Sequence, residues 1–392
     1  MKVFGKGAEG LFSKKGFPQE KPFFSALIAW FEGHARALPW RNDRAPYGVW
    51  VSEVMLQQTR ATVAADYYVQ FMRALPDVRA LAAADEQDLF KLWEGLGYYS
   101  RARNLQKAAR IIVERYGGAL PCAYEHLLEL PGIGDYTAGA VASICFNLPT
   151  PAVDGNVLRV LARVLNRPWT AGDTAARAAA SDILKPVYGA AERRGILTEA
   201  LMELGAVVCV PRNPRCGECP VREACAAYKA GTAAALPLKK AKPQKPATEL
   251  TVFILIRKGQ DGDREGKEDE RNGGKENAEN DGEGNTEIAV RKRGENGLLK
   301  GLWEFPNVQG FLSEREAFRK IEEWGCRPSE LLRSTRRKHE FTHRIWNMTG
   351  YYIECTMRRE ECRTNATFVW AEQERLEKEI PLPSAFKPFL SI

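Results

Sequence analysis

Cys209, Cys216, Cys219 and Cys225 are separated by six, two and five residues, so four thiols fall within seventeen residues. Nothing else in the sequence limits the local fold so tightly. A segment this short can bring its sulfurs to one metal centre only by closing into a compact loop. Thiolates suit Zn²⁺ or an iron–sulfur cluster, and spacing alone leaves both open. The competing explanation is a set of buried structural cysteines, which this density argues against. The chain has nine cysteines, and those outside the loop are scattered. That fits a metal site in a reducing compartment better than a secreted disulfide framework. Arg212, Arg215 and Arg222 share the loop and could meet a phosphate backbone.

A second constraint is Leu130-Pro131-Gly132-Ile133-Gly134-Asp135-Tyr136-Thr137-Ala138, followed by Val153-Asp154-Gly155-Asn156. Residues 123–129 read as a short helix and Tyr136–Phe146 as a second, of small and apolar residues. Pro131 favours a turn between them, and Gly132 and Gly134 can both take positive φ at little cost. Bare backbone N–H groups at a helix N-terminus suit a phosphate oxygen. The pattern predicts a helix-hairpin-helix; the plainer alternative is a glycine-rich loop joining two packed helices.

From Pro22 to Tyr228 the apolar spacing is helical nearly throughout, with helices expected at Phe24–Ala35, Gly48–Gln58, Val63–Arg73, Glu86–Trp93 and Ser100–Tyr116. Residues 1–21 read as a polar, frayed tail. Residues 229–247, rich in proline, alanine and lysine, read as a linker. From 248 to 392 the pattern is α+β. Leu250–Ile256 and Glu287–Lys292 read as paired strands, 314–324 as a helix, and strands are expected near Glu340–Trp346 and Gly350–Glu354. Between the first two strands, 258–285 is too polar and charged to order itself. The chain of 392 residues carries a net charge of +7 with pI about 8.9, a basic bias compatible with a nucleic-acid partner. No apolar run reaches membrane-spanning length and Met1–Gln19 has no apolar signal core. The expectation is a cytoplasmic protein, nucleoid-associated if the source is bacterial.

The proline-glycine hairpin, the aspartate after it and the cysteine loop together resemble the endonuclease III superfamily of helix-hairpin-helix DNA glycosylases. Within it the chain resembles the adenine DNA glycosylases of the MutY type. The resemblance rests on Leu38-Pro39-Trp40-Arg41, Val51-Ser52-Glu53-Val54-Met55-Leu56-Gln57-Gln58-Thr59, Gly95-Leu96-Gly97-Tyr98-Tyr99-Ser100-Arg101 and Asp154-Gly155-Asn156, and covers nearly all of 22–228. Gly301-Leu302-Trp303-Glu304-Phe305-Pro306 resembles the MutT/Nudix-like domain appended to these enzymes. The implied architecture is an all-α glycosylase domain with a [4Fe–4S] loop at 209–225, followed by an α+β MutT-like domain. The implied cluster ligands are Cys209, Cys216, Cys219 and Cys225.

Glu53 lies in a helix among Trp50, Val51, Val54 and Met55. Such surroundings raise a carboxyl pKa and suit a general acid, though a helical glutamate can also turn its head to solvent. The resemblance assigns it the protonation of adenine N7. Asp154 precedes an apolar helix and reads first as an N-cap. The resemblance makes it the carboxylate that stabilises the oxocarbenium-like deoxyribose, with Asn156 orienting it and the incoming water. Tyr136 occupies the position where bifunctional members carry a Schiff-base lysine. It can donate a hydrogen bond to the catalytic carboxylate but cannot form an imine, so hydrolysis without strand cleavage is expected. Arg41 resembles a residue lining the adenine pocket. Gln58 and Tyr98 resemble residues inserted into the base stack around the extruded adenine.

The second domain lacks the spacing of glutamates that Nudix hydrolases use for Mg²⁺ around Arg315–Gly325, so no nucleotide hydrolysis is expected. Phe341-Thr342-His343 resembles the family's Phe-Ser-His loop, with a hydroxyl and an imidazole available to 8-oxoguanine. The implied partner is duplex DNA carrying adenine:8-oxoguanine or adenine:guanine pairs, bound by a monomer. Two other readings compete: a glycosylase-lyase of the endonuclease III kind acting on oxidised pyrimidines, and a non-catalytic DNA-binding protein. The lysine missing at Tyr136 weighs against the first, and the pairing of Glu53 with Asp154 against the second.

Overall fold

The computed structural model describes residues 20–240, 244–258, 286–294, 296–356 and 368–391. The expected tail up to residue 19 and the expected insertion from 259 to 285 lie outside the described residues. The chain divides into two compact units. One falls within Met1–Asp85 and Ser100–Lys242, the other within Glu86–Tyr99 and Pro243–Ile392. The sequence placed the whole of 22–228 in one domain, whereas the contacts group 86–99 with the C-terminal unit.

The first unit is helical among the described residues. Its helices are α1 (Glu20–His34), α2 (Pro46–Leu56), α3 (Ala61–Ala74) and α4 (Val78–Ala83). After α5 (Glu86–Leu92), which belongs to the second unit, come α6 (Ser100–Tyr116), α7 (Tyr124–Leu128), α8 (Asp135–Phe146) and α9 (Gly155–Val164). They are followed by α10 (Thr174–Ala190), α11 (Arg194–Val207) and α12 (Ala226–Lys229).

The apolar stripes of α1, α9, α10 and α11 meet in one core, with Leu27, Leu161, Leu184 and Leu201 fully buried. A different pattern marks α2, where Tyr47 to Met55 is buried without a break. A helix buried all round belongs at the centre of a domain, and α2 carries Glu53. Asp154 caps α9 through a hydrogen bond from Val157 N to its Oδ1 at 2.7 Å. At the hairpin, Gly132 takes φ +80°, and a Cβ there would lie 2.8 Å from Asn104 Cβ. Gly134 is different from what the sequence led us to expect. Its φ is −107°, an extended N-cap residue of α8, because one left-handed residue is enough to reverse the chain.

The second unit carries a mixed sheet of β1 (Ala247–Lys258), β2 (Thr286–Lys292), β3 (Trp303–Glu304), β4 (Asn307–Gln309), β5 (Arg327–Glu340), β6 (Ile345–Thr356) and β7 (Val369–Glu372). The order along the sheet is β3-β2-β1-β6-β5, with β4 on β1 and β7 on β2. β1 and β2 pair antiparallel, Ile256 opposite Ile288, as the sequence indicated. β1 and β6 run parallel, and both faces of β1 are covered. Val252, Ile254 and Ile256 enter one core, while Phe253 and Leu255 enter another with Ala317 and Ile321 of α13 (Glu314–Glu323). Double coverage explains the unbroken apolar run of β1. The short α14 (Gln373–Lys378) completes the unit.

The sequence-derived strands near 340–346 and 350–354 need correction. They are the end of β5, a turn at 341–344, and the single long strand β6, antiparallel to β5 with Glu340 opposite Ile345. Most of β5 is exposed, so it shows no apolar alternation and sequence periodicity could not reveal it.

Candidate active site and metal loop

Packing of α2, α8, α9 and α11 leaves a cleft of about 920 Å³ in the first unit. Arg41, Glu53, Gln58, Tyr136, Asp154 and Asn156 all line it, so residues far apart in sequence converge on one space.

Glu53 is 4% exposed. Burial pushes its carboxyl up to about 7, against a hydrogen bond from Tyr136 that favours the charged form; the charge of Asp154 adds to the rise. Tyr136 Oη donates to Glu53 Oε2. Of Glu53 and Asp154, the carboxylate that Tyr136 serves is therefore Glu53. Burial, and then the Glu53 and Asp154 charges, hold the phenol well above its ordinary value. It stays a neutral donor.

Asp154 accepts from Val157 N and, at 2.7 Å, from Asn156 Nδ2. Burial raises its pKa, and these hydrogen bonds oppose the rise. Asn156 is itself oriented: Arg159 Nη2 donates to its Oδ1 at 2.8 Å, which leaves the amide nitrogen for Asp154. Gly205 of α11 permits this approach, since a Cβ there would lie 2.6 Å from Asn156 Cβ.

Arg36, Glu199 and Glu203 of the cleft wall, and Arg44 beside them, were not singled out from sequence. Arg36 Nε donates to Glu203 Oε1 at 2.6 Å and Arg41 Nη2 to Glu203 Oε2 at 2.9 Å. Arg44 Nη2 lies 2.8 Å from Glu199 Oε2, with Arg41 Nε 3.4 Å from the other oxygen. Burial alone would raise Glu203, but the bonds from Arg36 and Arg41 more than offset it and hold it at about 2. Burial raises Glu199, against the nearby arginines. The Leu-Pro-Trp-Arg segment flagged Arg41; its acidic partners lie in α11, whose apolar majority masked them.

Gln58 and Tyr98 are exposed and both take left-handed backbone, at φ 62° and 48°. Side-chain-bearing residues adopt that region at a cost of about 1–2 kcal/mol, and such strain gathers at functional sites. Tyr98 and Thr342, both in the second unit, meet hydroxyl to hydroxyl. Thr342 and His343 are exposed at the β5–β6 turn. Phe341 is half-buried, with its ring 4.7 Å from Trp346 and 4.5 Å from His339. That packing turns part of the Phe341 ring toward its own sheet.

Cys209, Cys216, Cys219 and Cys225 border one small cavity beside α9. Among the described residues no three His, Cys, Asp or Glu side chains close on a point where a single ion would sit. Four thiolates around one shared cavity are the ligand set that an iron–sulfur cluster takes. The donor set fits an iron–sulfur cluster. Arg163, 1% exposed, ties the loop down. It donates to Val210 O at 2.8 Å, Leu236 O at 2.9 Å, Cys209 O at 3.1 Å and Cys209 Sγ at 3.3 Å. Arg159 Nε adds a bond to Cys209 O at 2.7 Å. Of the loop arginines, Arg215 is exposed and Arg222 half-buried, and they sit near Glu218 and Glu223.

Arg163→Met keeps bulk and removes these donors. Each buried carbonyl left dry costs about 1–3 kcal/mol, so the variant should melt several degrees lower and purify with less iron per chain. Unchanged melting together with unchanged iron content would remove Arg163 from this role.

Comparison with known proteins agrees with the geometry. Residues 51–186 match the HhH-GPD superfamily of base excision DNA repair proteins. Residues 209–225 match the iron–sulfur binding domain of endonuclease III, and 282–391 a NUDIX domain. Adenine DNA glycosylase of Mus musculus is 37% identical over 79% of this chain and 66% of its own length. That of Schizosaccharomyces pombe is 30% identical over 91% of this chain and 86% of its own. The relative from Buchnera aphidicola subsp. Acyrthosiphon pisum is 34% identical over 60% of this chain and 68% of its own. The chain spans 64–66% of the length of the mouse, rat and human relatives. The chain thus belongs to the adenine DNA glycosylase family, with a helix-hairpin-helix repair domain, an iron–sulfur loop of the endonuclease III kind and a NUDIX-type α+β domain.

Proposed function

We propose that this protein excises adenine from duplex DNA where the opposite base is 8-oxoguanine or guanine, by hydrolysis of the N-glycosidic bond, acting as a monomer in base excision repair. The observation that carries this reading is the pairing within one cleft of a buried, protonatable Glu53, held by Tyr136, with Asp154, held by Val157 N and Asn156. Glu53 gives its proton to N7 of the extruded adenine, which makes the base a better leaving group. Asp154 stabilises the positive charge that grows on the deoxyribose. Asn156 keeps that carboxylate turned toward the sugar and directs the water. Arg41 borders the base pocket.

Among the described residues that line the cleft there is no lysine, and so none of them offers an amine for a Schiff base. That favours hydrolysis over the glycosylase-lyase alternative on oxidised pyrimidines. Gly132 and Gly134 of the hairpin take a DNA phosphate, while Gln58 and Tyr98 fill the gap left by the flipped base. The turn at Phe341-Thr342-His343 reads the opposite base. The NUDIX-type unit performs no hydrolysis in this reading, because the glutamates around Arg315–Gly325 do not have the spacing that Nudix hydrolases use for Mg²⁺. No described helix is long and apolar enough to cross a membrane. We take the working location as the cytoplasm, at the nucleoid if the source is bacterial.

The test is single-turnover release of adenine from duplexes carrying adenine opposite 8-oxoguanine, guanine or thymine, with a parallel borohydride trap. Release from the first two, little from the third and no trapped complex are expected. Absence of release, or efficient trapping, would overturn the reading.

A further inference from the structure

The strand that sequence periodicity missed, β5, lies at the edge of the sheet and ends in the turn at 341–344. It is strongly basic: Arg333, Arg336, Arg337 and Lys338 are exposed, as is Arg344 in the turn. The acidic residue closest in sequence, Glu340, is held by Lys245 at 2.6 Å. Among the described residues Arg336 and Lys338 meet no carboxylate, and Arg337 donates only to the carbonyl of Arg336, at 3.2 Å.

The register sorts these cations. Arg337 stands opposite Met348 and His339 opposite Trp346, the face that also holds Phe341. Arg336 stands opposite Thr349 and Lys338 opposite Asn347, on the other face. Arg336 and Lys338 therefore stand about 6.6–6.8 Å apart on one face of the edge, with Arg337 alone between them on the other.

The geometry points to β5 as a phosphate-binding rail, on which Arg336, Arg337, Lys338 and Arg344 take phosphates of the DNA whose opposite base reaches the Thr342 turn. This rests on the function proposed above. Charge complementarity selects the partner. Exposed guanidinium and ammonium groups on both faces of one edge, meeting no carboxylate, suit a polyanion, whereas an added protein strand needs alternating side-chain pockets. The competing explanation is that the charges only keep the edge from pairing with other chains.

The test uses the full chain with Arg336→Ala, Arg337→Ala and Lys338→Ala combined, and a second variant with Arg336→Lys and Arg337→Lys. Binding is measured by anisotropy against an adenine:8-oxoguanine duplex and a fully paired duplex across a salt series. Each phosphate contact contributes about 0.9 to the slope of log affinity against log salt. The alanine variant should be shallower by about 2.7 and should weaken on both duplexes by the same factor. Excision at saturating enzyme should stay unchanged, and the lysine variant should restore the slope. An unchanged slope in the alanine variant, beside a normal one in the unaltered protein, overturns the rail and leaves an edge guard. A loss confined to the 8-oxoguanine duplex also overturns it, in favour of base reading. If the unaltered protein binds neither duplex, the proposed function itself fails.

Discussion

Glu53→Gln should bind duplex DNA like the unaltered protein and lose adenine excision by about 10²–10⁴-fold, the usual worth of a positioned acid. Glutamine keeps the shape and can still accept from Tyr136, but it has no proton to give. The pH dependence separates this from a packing defect. With its carboxyl at about 7, Glu53 is protonated below neutrality and ionised above it. The rate should therefore fall as pH rises through about 7, and the glutamine variant should lack that limb.

Stability follows the same group. A carboxyl raised from 4.5 to about 7 leaves the folded state fully favoured below about pH 4.5, and that contribution is lost as pH rises through about 7. On this account the unfolding free energy of Glu53→Gln should gain on that of the unaltered protein between pH 5 and 8, by an amount on the order of 3 kcal/mol at most. A variant that keeps near-normal single-turnover rates, or the same alkaline limb, would mean that another group supplies the proton.

Asp154→Asn removes a charge and keeps a cap. Asparagine serves at a helix N-cap about as well as aspartate, so α9 should keep its cap through Val157 N, at the cost of the bond from Asn156 Nδ2, on the order of 1 kcal/mol. Excision should still drop by about 10²–10³-fold, the scale for losing an electrostatic stabiliser of the transition state. Asp154→Ala should show the same kinetic loss plus about 1 kcal/mol of lost stability from the missing cap. The pair thus separates the two jobs of one carboxylate. A normal rate in Asp154→Asn would return the residue to its structural role alone.

How much of this was legible in the sequence depends on whether a residue's job leaves a local trace. Glu53 does, because a lone carboxylate inside Trp50–Met55 is conspicuous wherever the helix ends up. Asp154 does so twice, as the residue before an apolar helix and as part of a short motif. The cysteine loop is local by construction. Glu199 and Glu203 leave no trace, because their meaning lies in Arg36, Arg41 and Arg44, more than a hundred and fifty residues away. Arg163 looks like any arginine on an amphipathic helix until the carbonyls of 209–210 and Leu236 are placed around it. β5 was illegible for another reason. Periodicity detects burial, and an exposed edge has little.

The place of residues 86–99 bears on how the chain can be cut. Lys91 Nζ donates to Glu377 O at 2.6 Å, Leu382 N donates to Glu94 Oε1 at 3.0 Å, and Trp303 Nε1 donates to Gln87 Oε1 at 2.8 Å. These partners are made some two hundred or more residues later than the segment they receive. During synthesis, Glu86–Tyr99 must wait through most of translation for groups that satisfy it, a long-range closure of the kind that slows folding. A fragment ending at Lys242 would leave Lys91, Glu94 and Gln87 without these partners. A fragment beginning at Pro243 would have Trp303 and the end of α14 bare. Limited proteolysis within 229–247 would then give pieces that stay associated or unravel, rather than two independent domains.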